Sequence, residues 1–315
     1  MKLGKFQLPR RENTFLRGFP EGGIAIKHKV LTICIAIGAF LLALGMTLYP
    51  IISTIYNEKH QSQIHTQYQE QVEQVDDSAI RKAKELAIAY NEAIQPGAQM
   101  SDAFSNDALL WASEDYKNQL NVAGTGIMGY VNIPSINVHL PIYHGTETKT
   151  LEKGIGHLLG SSLPVGGDTT HSILTAHSGM ANQKMFSDLP QLKIGDVFYL
   201  EVLDETLAYQ VDQIKTVLPY DVTYLGIEEG RDLCTLVTCT PFGVNTHRLL
   251  VRGTRIPYEE AEEIVEETTP EEIKPVSTWE QEYLKGLYIG LAAVAAMGLA
   301  ALGYWIYRRC RYASS

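Results

Sequence analysis

Cys239 lies in the run Thr235-Leu236-Val237-Thr238-Cys239-Thr240-Pro241, Arg248 follows it by nine residues, and His177 precedes it by sixty-two. A thiol, an imidazole and a guanidinium together suit acyl transfer. The thiolate attacks a carbonyl, the imidazole exchanges protons with the leaving and incoming amines, and the guanidinium donates to the oxyanion. The competing role for Cys239 is that of a small buried hydrophobe. A metal centre has less support, because His139, His144, His157 and His171 lack close ligand spacing and no C-x-x-C or H-E-x-x-H occurs. No metal and no other cofactor is therefore expected. His144 and His157 adjoin glycines, in His144-Gly145 and Gly156-His157, and read as loop residues with structural roles.

The flanking residues say how such a set would be held. Thr235 to Thr238 are β-branched or apolar and suit a strand, while Pro241 and Gly243 end it, so Cys239 stands where a strand opens into a loop. Leu249-Leu250-Val251 begins a second run that can pair with the first and bring Arg248 back toward Cys239. Cys234, five residues before Cys239, should point to the opposite face. Further short runs follow from Met128: 128–133, 138–143, 172–176, 197–202, 207–216, 233–238 and 249–255. Short strands with Gly and Pro punctuation predict a barrel or a sandwich, and periodicity does not choose between them. Before them, Ile80, Ala83, Leu86, Ala87, Tyr90 and Ile94 recur at helical spacing behind a cap at Asp77 or Ser78, and Gln61 to Gln74 reads as a helix or stalk leading in.

The 315-residue chain also carries two uncharged apolar runs, Val30 to Tyr49 and Leu287 to Tyr307. Each is long enough, at about 30 Å as a helix, to span a bilayer. Lys2, Lys5, Arg10, Arg11, Arg17, Lys27 and Lys29 precede the first, and Arg308, Arg309 and Arg311 follow the second, so both termini are expected in the cytoplasm and the middle outside. The first run is long for a signal-peptide core and lacks a small-x-small cleavage site, which favours an uncleaved anchor. The net charge of −10 falls partly in an acidic stretch from Glu259 to Glu272, which reads as a solvated linker and argues against nucleic-acid binding. The four cysteines do not form a disulfide framework. The expected organisation is a basic tail at 1–29, a span at 30–49, a helical stalk at 50–94, a loop at 95–107, a β domain at 108–257, an acidic linker at 258–286, a span at 287–307 and a basic tail at 308–315.

Thr235, Leu236, Thr238, Cys239 and Arg248 match the T-L-x-T-C and following arginine of sortases, and Thr175-Ala176-His177-Ser178-Gly179 matches the context of their histidine. Gly129 to Pro134, Leu140 to Gly145 and Ser162 to Gly167 extend the similarity. The resemblance implies a closed eight-stranded β-barrel with N-terminal helices, flanked here by two transmembrane helices, and the roles of nucleophile for Cys239, acid and base for His177 and carbonyl or oxyanion ligand for Arg248. The second span and the segment Asp102-Ala103-Phe104 resemble class C, pilus-assembling sortases, in which an Asp-Pro-aromatic lid covers the site; Ala103 stands where that motif has proline. Asp102 and Phe104 are then the lid anchors. The implied function is cleavage of an LPxTG-like sorting signal through a Cys239 thioester, followed by transfer to a lysine amine of another pilin subunit. The alternatives are attachment of surface proteins to a peptidoglycan precursor and a non-catalytic membrane scaffold that binds pilins.

Overall fold

The computed structural model describes residues 21–94, 102, 104, 114–178, 180, 183–268, 285–298 and 303–304. Much of the expected tails, of the 95–107 loop and of the acidic linker lies outside these, as do Pro96, Gly97, Ala103 and Cys310. The chain divides into two compact units, residues 1–50 and 51–315. In the first, the described backbone is helical and belongs to α1 (Glu21–Glu73), with Ile35, Phe40, Leu41 and Met46 exposed. Among the described residues no helix is long and apolar enough to cross a membrane. The second expected span is described only at 287–298 and 303–304.

In the second unit the end of α1 buries Tyr68 and Val72. α2 (Asp77–Ala93) follows and buries Ile80, Ala87 and Asn91. Its cap is Asp76, one residue before the expected pair, and the Asp76 carboxylate accepts from Ser78 N, taking up an amide that the first turn leaves without a helical partner. Leu86, expected on the apolar face, is exposed. α3 (Glu114–Asn118) and α4 (Thr148–Leu151) are short.

Eight strands close into a barrel. They are β1 (Ile127–Ile133), β2 (Val138–His144), β3 (Ile155–His157), β4 (Thr170–Thr175), β5 (Val197–Val202), β6 (Glu205–Val217), β7 (Asp232–Thr240) and β8 (His247–Ile256), in the order β1-β2-β3-β4-β7-β8-β6-β5. Closure removes the sheet edges, which settles the choice between barrel and sandwich. Seven strands fall on the predicted runs. The eighth, β3, is three residues long and contains Gly156, where a Cβ would lie 2.3 Å from the Gly145 carbonyl oxygen. The glycine that reads as loop punctuation is required there because two backbones approach closely. His157 is thus a buried strand residue, and His144 is the last residue of β2, so neither is a loop residue.

Alternation along β7 divides two apolar clusters. Cys234 and Leu236 enter the main core with Met128, Phe186, Phe198 and Val251, whereas Val237 faces outward into a smaller cluster with Ile173, Val217, Leu225 and Leu250. The acidic stretch opens with a helix, α5 (Tyr258–Thr268), instead of a solvated linker. Its Ala261 is fully buried against Val197, Tyr199 and Ala208, with Ile264 and Val265 packed beside it. The i, i+3, i+4 stripe explains this, since the glutamates occupy the other face.

Candidate active site

Cys239 lies next to the C-terminal end of β7, directly opposite Arg248 at the start of β8 in an antiparallel ladder. Opposed residues put their side chains on one face with Cβ atoms about 5 Å apart, so the register itself joins thiol and guanidinium. On its other edge β7 runs parallel to β4, with Thr175 paired to Val237. His177 and Cys239 are each two residues beyond that pair.

Three hydrogen bonds carry the β4–β7 pairing past the last ladder rung. Ala176 N donates to Val237 O at 3.1 Å, Thr238 Oγ1 donates to Ala176 O at 2.8 Å, and Ser178 Oγ donates to Cys239 O at 2.7 Å. Phe186 N then donates to His177 O at 3.0 Å and fixes the far side of the histidine loop. The threonines of the Thr235-to-Cys239 run thus have separate tasks. Thr238 points inward and stitches the two strand ends, while Thr235 points outward and is 2.7 Å from His171 Nε2. Below them Arg252 holds Asp212 through Nε and Nη2, both at 2.9 Å, and Glu228 through Nη1 at 2.7 Å. Sequence spacing gave no signal for this network, because its members come from β6, β8 and the loop before β7.

Asp102 and Phe104 reach the same place. The Arg248 guanidinium donates through Nε at 2.9 Å and Nη2 at 2.7 Å to the two oxygens of Asp102, and Nη1 is 3.3 Å from the carbonyls of Asn245 and His247. This is the bidentate fork that arginine makes and lysine does not. The Phe104 ring centre lies 4.8 Å from Arg248 Cζ and 5.7 Å from the His177 ring centre, and the ring packs on the outer apolar cluster. It therefore spans the two groups that flank the cysteine. Phe104 N donates to Asp102 Oδ1 at 3.4 Å, closing a local turn.

The electrostatics are those of a covered site. Burial pushes the Cys239 thiol above its ordinary range; Arg248 opposes that shift and Asp102 adds to it. Burial likewise lowers His177, with Glu152 opposing from a distance. Both shifts favour the neutral forms, thiol and imidazole, over the thiolate and imidazolium. Cys234 is fully buried in the core and its thiol is raised further, as an inert structural cysteine is.

The other histidines divide into two kinds. His157 is 2.9 Å from the Tyr116 hydroxyl through Nδ1 and 2.9 Å from Ser162 O through Nε2, and burial lowers it to about 4. His144 contacts Gln119 O at 2.8 Å, and His171 bridges Gly226 O and Thr235. These are structural. His65, His139 and Glu201 instead gather on the opposite wall of the barrel, the one group among the described residues whose donor atoms suit a metal.

A sortase-domain family model matches residues 131–256. The crystal structure of Streptococcus pneumoniae sortase C, described in terms of catalysis and pilin substrate specificity, is 42% identical, with 62% of this chain and 97% of that one covered and a TM-score of 0.55. Sortase C1 from Streptococcus agalactiae is 49% identical, with coverage of 61% and 97% and a TM-score of 0.55. Bacillus subtilis sortase D is 29% identical over 131 residues, which is 41% of this chain; the chain spans 63% of that relative's length.

Proposed function

The chain belongs to the sortase family, in its class C branch, and from that premise we propose that it is a cysteine transpeptidase that polymerises pilins. The observation that carries this reading is the register that sets Cys239 opposite Arg248, with His177 leaving the adjoining parallel strand at the same level. Once Arg248 is released from Asp102, the Cys239 thiol passes its proton to His177, and the resulting thiolate attacks the threonyl carbonyl of an LPxTG-like sorting signal. Arg248 stabilises the resulting oxyanion, and His177 protonates the departing glycine amine as the Thr–Gly bond breaks. A lysine amine of a second pilin then attacks the thioester, loses its proton to His177 and forms an isopeptide bond as the thiolate leaves.

Two of the Arg248 donor nitrogens are engaged by Asp102 and one flank of the site is taken by Phe104, so the 102–104 segment acts as a lid that must move before substrate binds. The apolar runs 30–49 and 287–307 would cross the cell membrane, with both termini inside and the barrel outside. Their length, lack of charge and basic flanks support that reading. The test is to mix the full chain with a sorting-signal peptide and a lysine-bearing pilin, then map the acyl adduct by mass spectrometry. A thioester on Cys239 followed by covalent pilin ladders is the expected result. An adduct on Cys234, or turnover by Cys239→Ala, would remove Cys239 from the mechanism, and wall-linked monomers in place of ladders would make the acceptor a peptidoglycan amine.

A further inference from the structure

His65 on α1, His139 on β2 and Glu201 on β5 meet on the barrel wall opposite Cys239. The same Glu201 oxygen, Oε2, lies 3.1 Å from His139 Nε2 and 3.4 Å from His65 Nε2, and the three donor atoms are all within 4.8 Å of one another. Ligands held at 2.0–2.2 Å around a tetrahedral ion stand about 3.3–3.6 Å apart, so the two imidazole–carboxylate separations are close to those of donors converging on one small cation. The second Glu201 oxygen accepts from Asn132 Nδ2 at 3.3 Å, which turns Oε2 toward the imidazoles, as an outer partner does for a ligating carboxylate. The two imidazoles meet edge to face at 4.2 Å between centres and both rest on Tyr130. His65 and Glu201 also line a cavity of about 430 Å³, which leaves room for water as a further ligand.

We propose that His65, His139 and Glu201 form a Zn²⁺ site that fastens α1 to the outer wall of the barrel. Two imidazoles and one carboxylate suit a borderline divalent transition ion and not Ca²⁺ or Mg²⁺, which take oxygen ligands. Such a site gives α1 a cross-link beyond the packing of Tyr68 and Val72. Sequence spacing misses it, since the ligands are separated by seventy-four and sixty-two residues and come from three elements.

The test uses the untagged full chain, stripped with a chelator and titrated with Zn²⁺ alone by calorimetry, with Co²⁺ as a spectroscopic reporter. One ion per chain is expected. Asn132→Ala should weaken binding about tenfold to a hundredfold, as loss of an outer partner does, and loss of a ligand in His139→Ala should weaken it at least as much. The His139 side chain is 36% exposed, so its removal should leave the fold intact, which circular dichroism checks. Zn²⁺ should also slow amide exchange around residue 65 in the parent chain and not in His139→Ala. Absence of saturable binding, or unchanged affinity in both His139→Ala and Glu201→Gln, would reduce the cluster to a histidine–carboxylate hydrogen-bond group.

Discussion

The β4–β7–β8 ladder and the 102–104 segment both end at Arg248, yet they hold it by different means. On the ladder, backbone pairing sets Cys239 opposite Arg248 and Thr175 beside Val237, and the Ala176 N to Val237 O bond carries it on to the residue before His177. Asp102 and Phe104 make the contact through their side chains, an ion pair and a ring placed between His177 and Arg248. A ladder of buried hydrogen bonds cannot shift by one residue without turning every side chain to the other face, whereas the Asp102–Arg248 pair and the Phe104 ring can part from the site without breaking a ladder bond. Geometry for chemistry is therefore built into the part that cannot slip, and access to it is left to the part that can be displaced.

The sharpest way to break this comparison is at the shared residue. Arg248→Lys keeps the charge and loses the fork, so kcat/KM for a sorting-signal peptide should fall about tenfold to a thousandfold. Near-parental kinetics would mean that Arg248 serves the lid alone. His177→Gln should stop turnover while the thiol still reacts with small alkylating reagents; unimpaired transfer would exclude His177 as the proton carrier.

The rigidity of the barrel is open to a pH test. Burial holds His157 and His171 at about 4, against an ordinary 6.5, so the unfolded chain takes up protons first as the solution is acidified. Their contribution is complete above pH 6.5 and is lost as the pH falls toward 4, at most about 3 kcal/mol for each. Urea midpoints should drop over that window. A flat profile from pH 6.5 to 4 would show that these imidazoles are not held neutral. At the seam itself, Thr238→Val leaves the Ala176 carbonyl without its side-chain donor and should cost about 1–3 kcal/mol of stability. An unchanged urea midpoint would mean that the strand ends are held by backbone pairing alone.

The smallest effect belongs to the segment. Asp102→Ala removes the charge that helps to raise the Cys239 thiol and frees the guanidinium that lowers it, so alkylation of Cys239 near neutral pH should speed up a few-fold. Phe104→Ala added to it should speed labelling further, because the ring spans the groups beside the sulfur. Labelling rates of the double variant equal to those of the parent would make 102–104 a turn and not a lid.

Local pattern determined a good deal. The alternation and punctuation of seven strands, the strand-end position of Cys239 and the separation of Cys234 from Cys239 onto different faces are all readable, because they depend on a residue and its near neighbours. So is the helical face of Ile80 and Ala87. Tertiary structure decided what depends on residues far apart in the chain. β3 was hidden because Gly156 answers to Gly145 across a strand pair, and α5 because three small or apolar residues within a run of glutamates gain meaning only against β5 and β6. The pairing of Asp102 with Arg248, implied by the family resemblance and by no local pattern, spans 146 residues, and the convergence of His65, His139 and Glu201 uses three elements. Periodicity records which face a side chain takes, since that follows from the backbone repeat. It cannot record which distant face will meet it, since that is fixed only when the sheet closes.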